Sequence, residues 1–371
     1  MSDAAATATE GRELRAALRE TARSFLADRC RPDVVRAIAA GDRDGDALWR
    51  EVVELGWTGV QAPEEHGGLG AGLPELAVLL EECGRALAPL PMLGAAVLGP
   101  GALLDAGGPA AAEWLPRIVA GQAIVTAAMA GADGVPGRLD TRVGAEGGRL
   151  VLDGVAGFVA DLPAADAVIV AARGGRGEVA AVLVETGAAG VAIEDQPVHD
   201  CTRRLARLTL RGVEVAPAAR IGGAELVERA ADRGALAVAA DGVGGAGRVL
   251  EITLEHLRTR EQFGRPLGSF QALKHRCADM FLRLTGARAA VEHAAAAFDR
   301  PGERVAAVAI AKSTAAEAYA HIAGEGVQMH GGIGFTWEHD MHLFLKRAKL
   351  GEALFGDGDH HRDRLDRLIF A

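Results

Sequence analysis

The chain has 371 residues, 49 % of them apolar but only 4 % aromatic, and a formal net charge of −10. The acidic balance argues against nucleic acid as a partner, and no apolar run reaches the roughly 18 uncharged residues of a membrane span. A chain of this length holds two or three domains, with a core built mainly from Ala, Val and Leu.

The first stretch, residues 1–121, reads as helical. Glu13 to Leu26 and Pro74 to Leu87 repeat apolar residues at a helical period, and Pro63 with Gly67-Gly68 marks a loop between them. From 122 to 220 the pattern changes to short, branched or alternating runs: Ile124 to Met129, Arg149 to Leu152, Ala167 to Ala172, Val179 to Val184 and Ala206 to Leu210. Glycine turns separate them, which predicts a small β barrel or sandwich. Helical patterning returns over 221–371, with expected helices Ala224 to Arg260, Phe270 to Phe298, Arg304 to Ala323, Trp337 to Leu350 and a shorter one after Asp357. Long helices with short connections read as an antiparallel four-helix bundle. The expected class is therefore α+β, in the order helices, sheet, helix bundle. Met1-Ser2-Asp3 opens an acidic start without a signal-like apolar segment, and Cys30, Cys83, Cys201 and Cys277 lack metal-type spacing, so a cytoplasmic setting is expected.

Two breaks in the C-terminal helical pattern carry the chemistry. One is Arg260-Glu261-Gln262-Phe263-Gly264-Arg265-Pro266-Leu267-Gly268-Ser269-Phe270-Gln271; the other is Gln328-Met329-His330-Gly331-Gly332-Ile333-Gly334-Phe335. Arg260 can fork onto a phosphate, Phe263 offers a ring face, and the amides of Gln271 and Gln328 both donate and accept. A cofactor with a diphosphate and planar rings would use all four. Far upstream stand Pro63-Glu64-Glu65-His66-Gly67-Gly68-Leu69-Gly70 and Glu81-Glu82-Cys83-Gly84-Arg85.

These motifs, in this order and over nearly the whole chain, resemble the acyl-CoA dehydrogenase family. The resemblance implies FAD as cofactor, an acyl-CoA thioester as substrate, desaturation between its alpha and beta carbons, and an electron-transfer flavoprotein as acceptor. It implies Arg260, Gln262, Phe263, Phe270, Gln271, Gln328, Gly331 and Gly332 as FAD contacts, reaching a neighbouring subunit of a homo- or heterotetramer. The altered motifs resemble an actinobacterial branch acting on steroid side chains or other bulky acyl groups. A non-catalytic partner subunit completing a related chain's FAD site, and a flavin oxidase or monooxygenase on the same fold, stay open beside this reading.

Three departures matter. The family's base, a Glu shortly after the Gly-Gly loop, falls at Phe355; the alternative base position falls at Gly234. The polar Thr-Glu-Pro-Gly-x-Gly-Ser-Asp motif reads Thr126-Ala127-Ala128-Met129-Ala130-Gly131-Ala132-Asp133, and the segment against the flavin reads Phe158-Val159-Ala160-Asp161, where Phe158 could still stack. Asp241 is the one ionisable residue between Arg233 and Arg248. Burial there would raise its pKa towards that of a working base, which makes it the replacement candidate. The plain alternative is a carboxylate neutralised by an Arg or Lys across a subunit contact. Asp357 is a second, more solvated candidate.

Two patterns are decoys. Gly242-Val243-Gly244-Gly245-Ala246-Gly247 satisfies the dinucleotide fingerprint, yet a helical pattern precedes it where a strand is required, so helix packing is expected instead. His339 with His342, and His360 with His361, are read as parts of a charged, solvated surface rather than metal ligands.

Overall fold

The computed structural model describes residues 3–370, with side chains from Gly11 onward. The N-terminal part holds α1 (Asp3–Arg29), α2 (Pro32–Ala40), α3 (Asp46–Glu54) and α4 (Leu73–Arg85). A π-helical stretch, Leu93–Leu98, runs into α5 (Gly99–Ala106), followed by α6 (Gly108–Val119). Prolines sit in the first turns of α2, α4, α5 and α6, where the missing N–H has no intrahelical partner to lose.

The middle part is one mixed sheet of β1 (Val125–Ala128), β2 (Arg142–Glu146), β3 (Arg149–Ala160), β4 (Ala167–Arg173), β5 (Val179–Glu185), β6 (Val191–Gln196), β7 (Leu205–Val215) and β8 (Arg220–Gly223). The strand order is β6-β7-β3-β2-β4-β5-β8, and β1 pairs with β4 in parallel. β2, β6 and β8 are additions to the sequence reading: none of their residues is fully buried, and they lack the branched runs that mark the buried strands. The register of β3 against β7 slips between Ala156 and Val159, a bulge that re-aims Phe158 out of the ladder at φ +54°.

The C-terminal part begins with α7 (Ala224–Thr259), 36 residues long. A two-strand hairpin, β9 (Glu261–Gln262) with β10 (Arg265–Pro266), leads to α8 (Gln271–Ala297). Then come α9 (Arg304–His330), α10 (Met341–Ala353) and α11 (Gly358–Phe370). α9 outruns the expected Ala323 by two turns because Gly324 and Gly326 continue the helix inside the bundle, where packing overrides their low propensity.

The hydrophobic core joins α4, α7, α8 and α9 with α1 through Ala, Val and Leu, as the composition implied. Its tightest joint is the crossing of α4 and α7. A methyl group on Gly244 would collide with the Glu81 carbonyl, and one on Gly84 with the Asp241 carbonyl, so the fingerprint-like glycines are a helix contact. Ion pairs flank the joint: Arg19 and Arg23 reach the buried Glu82, and Arg288 reaches Glu81 at 2.9 Å. Among the described residues no helix is long and apolar enough to cross a membrane.

Candidate active site

A cleft of about 250 Å³ opens between the sheet and the C-terminal helices. The end of β1, the β3 bulge with Phe158, Ala231 of α7 and the Leu354–Phe355 turn after α10 form its walls. Phe158 is 38 % exposed, with its backbone N–H donating to Gln196 Oε1 at 2.5 Å. Of the described lining residues only Asp133 is ionisable. Its carboxylate accepts from the Val135 N–H at 3.0 Å and pairs with Arg138 at 3.2 Å, which holds its pKa below the ordinary value. The cleft thus contains no carboxylate tuned to accept a proton near neutral pH.

Phe355, which lines this cleft, packs directly against Gly234 of α7. The ring of Phe355 lies so close over Gly234 that any side chain there would strike it. Phe355 takes φ +58°, a left-handed conformation unusual for a bulky residue. Gly234 and Phe355 stand at the family's two base positions, and the fold brings them into contact.

Asp241 lies elsewhere. The residue is 3 % exposed, and Arg347 grips its carboxylate twice, at 2.7 and 3.1 Å, while Arg203 adds a contact at 3.1 Å. Burial pushes its pKa up, but the charges of Arg347 and Arg203 outweigh that and leave it lowered. The expected elevation is therefore corrected: the sequence shows the apolar helix around Asp241 but not the guanidiniums that fold against it. Arg347 also donates to Thr202 Oγ1 at 2.8 Å, so the cluster ties α7, α10 and the β6–β7 loop together. Asp161, in the loop after β3, accepts from the Gly94 N–H at 2.8 Å; burial raises its pKa to about 6. Asp357 is exposed and accepts from the His360 N–H at 2.9 Å.

The two C-terminal motifs meet at the far end of the bundle. His256 near the end of α7 stacks on His330 at the end of α9, with ring centroids 4.3 Å apart. Arg276 of α8 pairs with Glu325 of α9 beside them. Arg260, Gln262, Phe263, Gln271, Gln328, Gly331 and Gly332 are all exposed around this end. Phe263 is 89 % exposed, with its ring edge-on to Phe270, and Arg265 lies 4.0 Å from the Phe270 ring centroid.

Residues 12–122 match the family model described as "Acyl-CoA dehydrogenase, N-terminal domain", and residues 222–370 match "Acyl-CoA dehydrogenase, C-terminal domain". The chain belongs to the acyl-CoA dehydrogenase family. It is 40 % identical over 344 residues to acyl-CoA dehydrogenase IpdE2 of Mycobacterium tuberculosis, covering 91 % of each chain. Its fold matches a chain of the ChsE4-ChsE5 complex of Mycobacterium tuberculosis with a TM-score of 0.90 and 31 % identity, covering 96 % of this chain and 97 % of that one. A Tcur3481-Tcur3483 steroid ACAD variant matches with a TM-score of 0.85 and 29 % identity, covering 97 % and 98 %.

Acyl-CoA dehydrogenases are FAD-dependent oxidoreductases, and the residues present fit that cofactor at both ends of the molecule. At the bundle end, Arg260 carries a charge for a diphosphate, and Gly331 and Gly332 have open space where a side chain would stand. At the cleft, Phe158 offers a ring face beside an apolar slot. The two ends are far apart: from Ala231 in the cleft to Thr259 at the helix end, α7 spans roughly 40 Å at 1.5 Å per residue. One dinucleotide cannot reach both on the same chain.

The histidines depart from the solvated surface expected of them. His342 and His361 are buried, and His330 and His339 lie ring against ring at 4.7 Å. Among the described residues no group of three His, Cys, Asp or Glu could hold a metal ion. Sequence reasoning missed Arg203, Arg347, Lys312 and His361. Lys312 carried a signal, being the one cation between Arg304 and His321 in an Ala-rich helix.

Proposed function

We propose that this chain works as one subunit of a heteromeric acyl-CoA dehydrogenase, in which a related chain supplies the base. The observation that carries this is that the two base positions hold Phe355 and Gly234, which bear no carboxylate and pack against each other. Bound FAD would supply the hydride acceptor for the beta carbon of the thioester. Arg260, Gln262, Phe263, Phe270, Gln271, Gln328 and the Gly331-Gly332 backbone of this chain would hold the FAD lodged in the related chain's cleft. The roughly 40 Å between bundle end and cleft supports this division of labour. Electrons would leave for an electron-transfer flavoprotein, and a substrate with a bulky acyl group is in keeping with the likeness to a steroid ACAD.

The test is anaerobic flavin bleaching by a bulky acyl-CoA. Alone, this chain should not bleach; mixed with a related chain carrying Glu at either base position, it should. Bleaching by the lone chain that disappears in Asp241→Asn would restore Asp241 as base and sink the heteromer reading.

A further inference from the structure

The turn that carries Phe355 is gripped from behind by two side chains that no part of the reaction uses. Lys312 of α9 is fully buried, and its ammonium donates to the Gly356 carbonyl at 2.7 Å and the Glu352 carbonyl at 3.2 Å. Glu352 lies in the last turn of α10, so the cation also caps the negative end of that helix. Within ion-pair distance no carboxylate of the described residues meets it. His361 of α11 is likewise fully buried, with Nε2 3.0 Å from the Phe355 carbonyl. A carbonyl only accepts, so the proton sits on Nε2, and Nδ1 is left buried without a partner.

Two consecutive carbonyls, those of Phe355 and Gly356, are therefore each held by a buried donor from a different helix. Between them the backbone turns left-handed, at φ +58° and then +94°. Released, Phe355 would relax to negative φ, and its ring would leave the face of Gly234. We propose that Lys312 and His361 are positioning residues that lock the Phe355 ring over Gly234, closing this chain's own cleft to the acyl group of an acyl-CoA. The inference rests on reading the cleft as the base-less one of the pair. It goes beyond that reading, because losing a carboxylate does not by itself block a substrate.

The test uses the full flavin-loaded chain without turnover. Calorimetry with the non-reacting thioether analogue of octanoyl-CoA is compared with free CoA. Phe355→Ala should bind the analogue about tenfold or more tighter than the parent, with CoA unchanged, since a buried apolar contact becomes available. Lys312→Met and His361→Leu should gain in the same way, and His361→Gln, which keeps a donor, should gain less. A fluorine label on the Phe355 ring should show one sheltered NMR resonance that moves towards its solvent position in Lys312→Met and His361→Leu. Loss of thermal stability alone would not move it. An unmoved resonance in folded variants, or no gain in Phe355→Ala, would overturn the lock. Should Lys312→Met fail to fold, the His361 pair and Phe355→Ala still decide. Tight analogue binding by the parent chain would also sink the lock, while leaving the partner-supplied base to the bleaching experiment.

Discussion

Asp241 shows how far a single residue can be read. Its isolation in an apolar helix correctly announces burial, because an ionisable group there has no water to turn to. What that burial does to its proton depends on Arg203 and Arg347, which lie in remote segments and carry no local mark. The same isolation at Lys312 announces a buried cation just as clearly. Asp241→Asn should therefore act on stability, leaving two buried guanidiniums short of a counter-charge. Breaking such a pair costs about 3–5 kcal/mol, visible as an earlier chemical unfolding midpoint. Flavin content per folded molecule, and the bleaching rate of the heteromer, should match the parent. A bleaching rate lowered a hundredfold with stability intact would reverse this assignment.

At the scale of elements, the long bundle helices and the buried strands were legible because their period shows in the chain. The strands β2, β6 and β8 were not, since only one or two of their side chains pack against the core and the rest are polar, alanine or glycine, too few to print an alternating run. Nor does sequence show the turn 354–357, whose shape comes from α9 and α11 behind it. That turn gives a pH signature. Burial pushes the His361 pKa down to about 3, so the folded protein keeps the imidazole neutral while the unfolded chain takes up a proton below about 6.5. The unfolded state then binds more protons, and stability should fall as pH drops from about 6.5 towards 3. Lys312, lowered to about 8 by burial, has the same sign on the alkaline side: stability should rise between pH 8 and about 10.5, by on the order of 3 kcal/mol at full effect. Urea midpoints across both windows should show these slopes, and the alkaline rise should vanish in Lys312→Met.

For the whole molecule, the proposed division of labour places the two sets of candidate flavin contacts at opposite ends of one long helix. Around the bundle end, Phe263, Phe335 and Trp337 stand 67–89 % exposed, large apolar side chains of the kind that mark interaction sites. Covering them with a related chain would bring Arg260 beside that chain's cleft. Arg260→Ala in this subunit should then lower FAD affinity in the partner's cleft by more than tenfold, the loss of a charged hydrogen bond worth about 1.5–3 kcal/mol. Bleaching by acyl-CoA should fall with that flavin, even though the altered chain is the one proposed to lack the base. Flavin released from the heteromer on dilution, measured by fluorescence, gives the affinity directly. Unchanged flavin retention in Arg260→Ala heteromers would mean that the bundle end of this chain does not reach the partner's cofactor.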